Sequence, residues 1–159
     1  MDELLTLLKD NARLSPNELA KLLDRPEAEI RDRIAQYENA GVIRGYQAIV
    51  NDDHLDLDRV EAVIEIKIQP ERDGGFNRVS DRIGKFAEVR SLFLVSGAYD
   101  LLAIVHGRDL KSVAGFVSEK LATIDGVLST ATHFMLKTYK VNGVLMEKEP
   151  QDERLKVSP

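Results

Sequence analysis

The chain has 159 residues, 43% hydrophobic and 31% charged, enough for one ordinary domain or two small ones and inconsistent with wholesale disorder. Zero cysteines exclude a disulfide framework, a thiolate metal site and a cysteine nucleophile. The 22 Lys and Arg stand against 27 Asp and Glu, and the net charge of −5 draws no phosphate backbone by itself. The start MDELLTLLKD is no secretory signal, and no window nears the ~18 apolar residues of a membrane span, so a soluble cytoplasmic protein is expected.

Residues 1–50 read as short helices. Leu4, Leu5 and Leu8 recur at helical spacing and Asn11 supplies a stop. Ser15-Pro16-Asn17-Glu18 is a helix start, with Ser15 as cap, Pro16 at the first helical position and Glu18 completing a capping box. Leu19, Leu22 and Leu23 follow on one face. Asp24-Arg25-Pro26-Glu27 opens a third helix, with Asp24 as cap; Ile30, Ile34 and Tyr37 mark its buried stripe, and Asn39-Ala40-Gly41 ends it. VIRGYQAIV, residues 42–50, predicts a short two-stranded wing around Gly45. The pattern predicts a winged helix-turn-helix; a generic helical bundle also fits it.

Residues 51–59, NDDHLDLDR, are acidic with few apolar anchors and read as a linker. Four aspartates and His54 suggest a metal, but the calcium-loop consensus fails for want of its turn glycine and closing glutamate, so no metal site is expected. Beyond it the period changes. VEAVIEIKI, residues 60–68, alternates as a half-buried strand does. A turn spans residues 70–75, and Phe76, Val79, Ile83 and Phe86 follow at helical steps. Strands are predicted at 89–95 and 101–106, joined by Ser96, Gly97, Ala98, Tyr99 and Asp100. Asp109 caps a second helix with the stripe Leu110, Val113, Val117, Leu121 and Ile124, and residues 127–140 predict a long last strand. The order strand, helix, strand, strand, helix, strand over 60–146 is a ferredoxin-like βαββαβ domain, and the fold class is α+β. Residues 147–159 form a charged tail.

Asn11-Ala12-Arg13-Leu14-Ser15, then Gly41-Val42-Ile43-Arg44-Gly45-Tyr46 followed by Asn51, then Ser96-Gly97-Ala98-Tyr99-Asp100, and finally Ile124-Asp125-Gly126-Val127 with Thr130 and Thr132, occur in one order. With these motifs the chain resembles the leucine-responsive/asparagine regulator (Lrp/AsnC) family of transcription regulators over about residues 1–143. The resemblance implies a DNA-binding half and a half that oligomerises and senses small amino acids or related metabolites. It implies a sheet-to-sheet dimer of the dimeric α/β-barrel type, assembly of dimers into octamers or open higher assemblies, and effectors held between dimers near the glycine-tyrosine-aspartate turn.

Taking 100° per residue, the stripe opposite Ile30, Ile34 and Tyr37 holds Arg25, Ala28, Glu29, Asp32 and Gln36, with Arg31 and Arg33 on the flanks. These are the candidate DNA-facing residues. Residues 1–50 carry seven bases against nine acids, few groups for phosphate contact. Two readings compete. Weak modules in an oligomer bind double-stranded DNA together, or the acidic helix-turn-helix binds a protein partner while the second half senses amino acids.

For the effector, Gly97 allows close approach, Asp100 offers a carboxylate to an amino group, and Thr130 and Thr132 share one strand face while His133 points away. An ordinary hairpin turn is the simpler reading of the same residues. His54, His106 and His133 lie far apart with no paired nucleophile, and Gly74-Gly75 lacks the lysine and serine of a phosphate loop, so no catalytic residue and no cofactor beyond an amino-acid effector are expected.

Overall fold

Ser15 opens the best-defined helix of the first unit. Its hydroxyl accepts from the Glu18 N–H, and the Glu18 carboxylate accepts in return from the Ser15 N–H at 2.8 Å, the reciprocal box expected from SPNE. The structure, a computed structural model, describes residues 2–55, 58–70 and 75–147, and divides between Val50 and Asn51 into two compact units. The first unit holds α1 (Glu3–Asp10), α2 (Pro16–Leu23) and α3 (Glu27–Asn39). Leu4, Leu8, Leu19, Ala20 and Ile30 are buried, with Leu23, Ile34, Tyr37 and Ile43 packed around them. Leu22 is exposed, and Ala20 takes the buried place expected of it.

Two further expectations fail in this unit. Asp24 does not cap α3: it is the left-handed end of α2 (φ 49°), and α3 starts at Pro26 without a side-chain cap. Glu27 therefore does not reach back to it, and instead accepts from Asn17 of α2 at 3.1 Å and from Arg31. Nor do residues 42–50 form a wing of two strands. They have no tight-turn pair to close a ribbon, and so short a hairpin is marginal alone. Ile43 packs on the core and the Tyr46 hydroxyl donates to Glu38 at 2.9 Å.

In the second unit β1 (Val60–Ile68), β2 (Val89–Leu94), β3 (Leu101–Gly107) and β4 (Val127–Phe134) make an antiparallel sheet of order β2-β3-β1-β4. Two helical segments cover one face: α4 (Asn77–Ile83) and α5 (Leu110–Gly115), which continues as a π-helical segment Phe116–Leu121. This is the expected ferredoxin-like arrangement. Ala62, Ile64, Ile66 and Ile68 alternate into the core with Leu101, Ala103 and Val105, against Val79, Ile83, Val113, Phe116, Leu121 and Ile124. Leu110, expected on the buried stripe, is exposed, and Phe116 is buried instead.

The first part of the expected linker is not featureless: Asp52–His54 form a short 3-10 turn capped by Asn51, whose amide also donates to the Met146 carbonyl at 2.7 Å. Asp56 and Leu57, most of the 70–75 turn and the tail beyond Glu147 lie outside the described residues. The last strand stops at Phe134, not at residue 140. The Met135 N–H donates to the Glu61 carbonyl, and β1 then has almost no length left to pair with. The chain instead makes a small hairpin of β5 (Lys140–Val141) and β6 (Val144–Leu145). Its turn is Asn142-Gly143, both at positive φ, a strong hairpin signal just beyond the expected strand.

Candidate functional site

The third helix is exposed on the face opposite Ile30, and most of its charges have partners on it or beside it. Arg25, just before the helix, pairs with Glu29 at 2.7 Å, and Arg31 pairs with Glu27, one helical turn back, at 2.5 Å. Hydrogen bonds from Asn17 and then Arg31 hold the Glu27 carboxyl below the usual glutamate range. Arg33 turns toward α1: its guanidinium meets the Asp2 carboxylate at 2.5 Å and its Nε lies 3.2 Å from the Tyr37 hydroxyl. Tyr37 donates to the same Asp2 oxygen, and the other Asp2 oxygen accepts from the Leu4 N–H as the cap of α1. Asp2 is thus a structural residue that the leucine spacing of α1 did not reveal.

All seven residues expected to face DNA lie on α3 or just before it. Arg25, Ala28, Glu29, Arg31, Asp32 and Gln36 are exposed, whereas Arg33 is half-buried in the Asp2 cluster. The cations of this unit that make no ion pair among the described residues are Lys9, Arg13, Lys21 and Arg44. Lys21 lines a surface depression with Asn17, Asp24, Arg25 and Glu27, beside the start of α3. Lys21 falls opposite Leu19 and Leu23 on the helical wheel of α2, the signal in the sequence that turns it outward.

In the second unit residues 96–100 join β2 to β3. Ser96, Gly97 and Ala98 are exposed, and Tyr99 and Asp100 are half-buried. Gly97 has φ 150°, strained for any residue with a Cβ, and the space beside it is open. Asp100 is fastened to β1: its Oδ2 accepts from the Ile68 N–H at 2.8 Å and its own N–H donates to the Ile66 carbonyl at 3.1 Å. That bond sits at the irregularity between Lys67 and Ile68, where the β1–β4 register shifts. One carboxylate oxygen therefore has a structural partner already.

Thr130 and Thr132 stand on β4 opposite Ile66 and Ile64 and are half-buried on the helix-covered side. His133 shares the other face with Glu65, at 3.5 Å, as the alternation requires. Thr130 and Asp100 flank β1 from opposite sides at the level of Ile66. Two strand spacings, about 10 Å, separate β3 from β4. Thr132 lies a further two residues along.

The profile of the Lrp/AsnC ligand binding domain matches residues 61–145, and a winged helix-turn-helix DNA-binding profile matches residues 3–44. The chain belongs to the Lrp/AsnC family. The HTH-type transcriptional regulator YugG of Bacillus subtilis is 40% identical over 99% of this chain and 95% of its own. A Neisseria meningitidis transcriptional regulator solved with L-Met superposes with a TM-score of 0.68 at 27% identity, covering 89% of this chain and 93% of that one. Escherichia coli AsnC superposes at 0.67 with 26% identity, covering 91% and 97%. The Lrp/AsnC chain is accordingly an HTH-type transcriptional regulator with a ligand-binding domain, and its family is one of regulators. A helix-turn-helix that serves a protein partner in place of DNA is not favoured, because both the matched profile and the relatives are of the DNA-binding kind.

Proposed function

We propose that this regulator binds double-stranded DNA through Arg25, Ala28, Glu29, Arg31, Asp32, Arg33 and Gln36 and responds to a small amino acid. The amino acid is received at Ser96, Gly97, Ala98, Tyr99 and Asp100, and Thr130 and Thr132 contribute from β4. The observation that carries the effector reading is the likeness to a regulator solved with L-Met, together with an Asp100 oxygen that has no partner among the described residues, beside an open glycine turn. A zwitterion suits such a site, since a carboxylate meets its amino group and turn N–H groups meet its carboxylate. The protein acts in the cytoplasm without a catalytic step or other cofactor. Among the described residues no helix is long and apolar enough to cross a membrane.

The active form is a homo-oligomer, a dimer or a higher assembly such as an octamer. Supporting this, the sheet face away from the helices carries Val63, Leu102, Ile104 and the half-exposed Phe93. An apolar sheet face of this kind is stably covered by a second sheet. Light scattering at micromolar concentration and a thermal-shift screen of the standard amino acids test the two claims. A monomeric mass overturns the first; no amino acid raising the melting temperature overturns the second.

A further inference from the structure

Asp32 lies nearest the centre of the outward face of α3, by the 100° period measured from Ile30, Ile34 and Tyr37. It is exposed and has neither a hydrogen bond nor an ion pair among the described residues. Its acidic neighbours differ: Glu29 is engaged by Arg25, and Glu27 by Arg31 and Asn17. Gln36, one turn on, also has no side-chain partner among the described residues, and both residues line one surface depression with Glu29, Arg33 and Tyr37. The centre of the helix thus presents, among the described residues, an unpaired carboxylate and an amide, while the neighbouring arginines Arg25, Arg31 and Arg33 each have an acidic partner.

A free carboxylate in a DNA groove is repelled by phosphates on either side. What can hold it there is a base-edge donor, and the cytosine amino group is the donor that acidic side chains take in the major groove. We infer that Asp32 is a specificity-determining residue that accepts a hydrogen bond from a cytosine amino group, and that the phosphate contacts fall to Arg13, Lys21 and Arg44. The inference rests on the DNA-binding reading above. Its consequence is a division of labour. The carboxylate weakens binding to every sequence, and the cytosine contact restores it only at the right one.

The test is selection of DNA from a random duplex library by the full-length protein and by Asp32→Asn and Asp32→Ala, followed by affinity measurements on selected and unrelated duplexes at low salt. The wild type should select a cytosine at one position of each half-site, with a roughly five- to hundredfold preference over other bases. Asp32→Asn should turn that preference toward adenine, which asparagine reads through N6 and N7, and Asp32→Ala should abolish it. Both variants should bind unrelated duplex more tightly than the wild type, an outcome that damage to the fold does not produce. Three proteins selecting one consensus overturn the inference and leave the DNA-binding reading standing; variants that bind every duplex more weakly than the wild type, with an unchanged circular dichroism spectrum, do the same. A wild type that selects no DNA at any salt overturns the DNA-binding reading and this inference with it.

Discussion

The Asp2 carboxylate lies 2.5 Å from the Arg33 guanidinium, so the cap of α1 also fastens the middle of α3. The hydrogen bond from Tyr37, then that from the Leu4 N–H, and then the charge of Arg33 hold the Asp2 carboxyl below the usual aspartate range. The folded state therefore binds fewer protons there than the unfolded chain does. The stability this adds is fully present above about pH 4, the ordinary aspartate value, and is lost as the pH falls through the depressed folded value. Asp2→Asn should lower the thermal midpoint at pH 7 and make it less sensitive to acid. Equal midpoints for the two proteins from pH 7 down to pH 3, followed by circular dichroism, would refute the clamp.

Salt dependence should separate the paired cations from the free ones. Each lost phosphate contact lowers the slope of log affinity against log salt by about one unit. Lys21→Ala should show the full drop. Arg25→Ala should show less, because Glu29 already opposes that charge and is released when Arg25 is removed. Fluorescence anisotropy on one duplex at four salt concentrations makes the comparison, and a larger drop for Arg25→Ala would reverse the assignment.

Asp100 supports both the turn and the proposed ligand, and two substitutions separate the roles. Asparagine can still accept from the Ile68 N–H but carries no charge, whereas alanine loses both. Asp100→Asn should weaken effector binding roughly ten- to a hundredfold, the worth of a charge-assisted hydrogen bond, with a near-native melting temperature. Asp100→Ala should lower that temperature as well. Calorimetric titration showing wild-type affinity in Asp100→Asn would leave the turn a purely structural element.

Ile66, fully buried on the central strand, tests the core. Ile66→Ala should cost about 2–5 kcal/mol, and urea denaturation should show the loss as a lower midpoint with a similar slope. A loss below about 1 kcal/mol would mean that the sheet closes over the gap.

Elements governed by local chemistry were legible from the residues: the Ser15–Glu18 box, the alternation of β1 and the Asp109 cap, which accepts from Ser112 at 2.6 Å. Elements governed by distant partners were not. Nothing near Asp24 in sequence says that it ends one helix and does not begin the next. The end of β4 at Phe134 depends on where β1 runs out. The stripe proposed to face DNA was legible as a helical face, but the pairing of Arg33 with Asp2 spans 31 positions and arises only when α1 packs on α3. For the proposed effector turn, the motif shared with the Lrp/AsnC family pointed to Gly97 and Asp100, while the bond from Ile68 to Asp100 requires the register of β1 against β3.

The wide turn that continues α5 has a genetic corollary. Phe116 and Leu121 are both buried though five residues apart, and the Ala122 N–H reaches back five residues to the Val117 carbonyl at 2.8 Å. An ordinary helix places residues four apart on one side. Loss of a single codon in this stretch, that of the exposed Ser118 for example, would bring the two apolar side chains to that ordinary spacing with both still facing the sheet. This segment should therefore tolerate a change in chain length that β1, paired on both sides, could not absorb without turning its isoleucines to the wrong face.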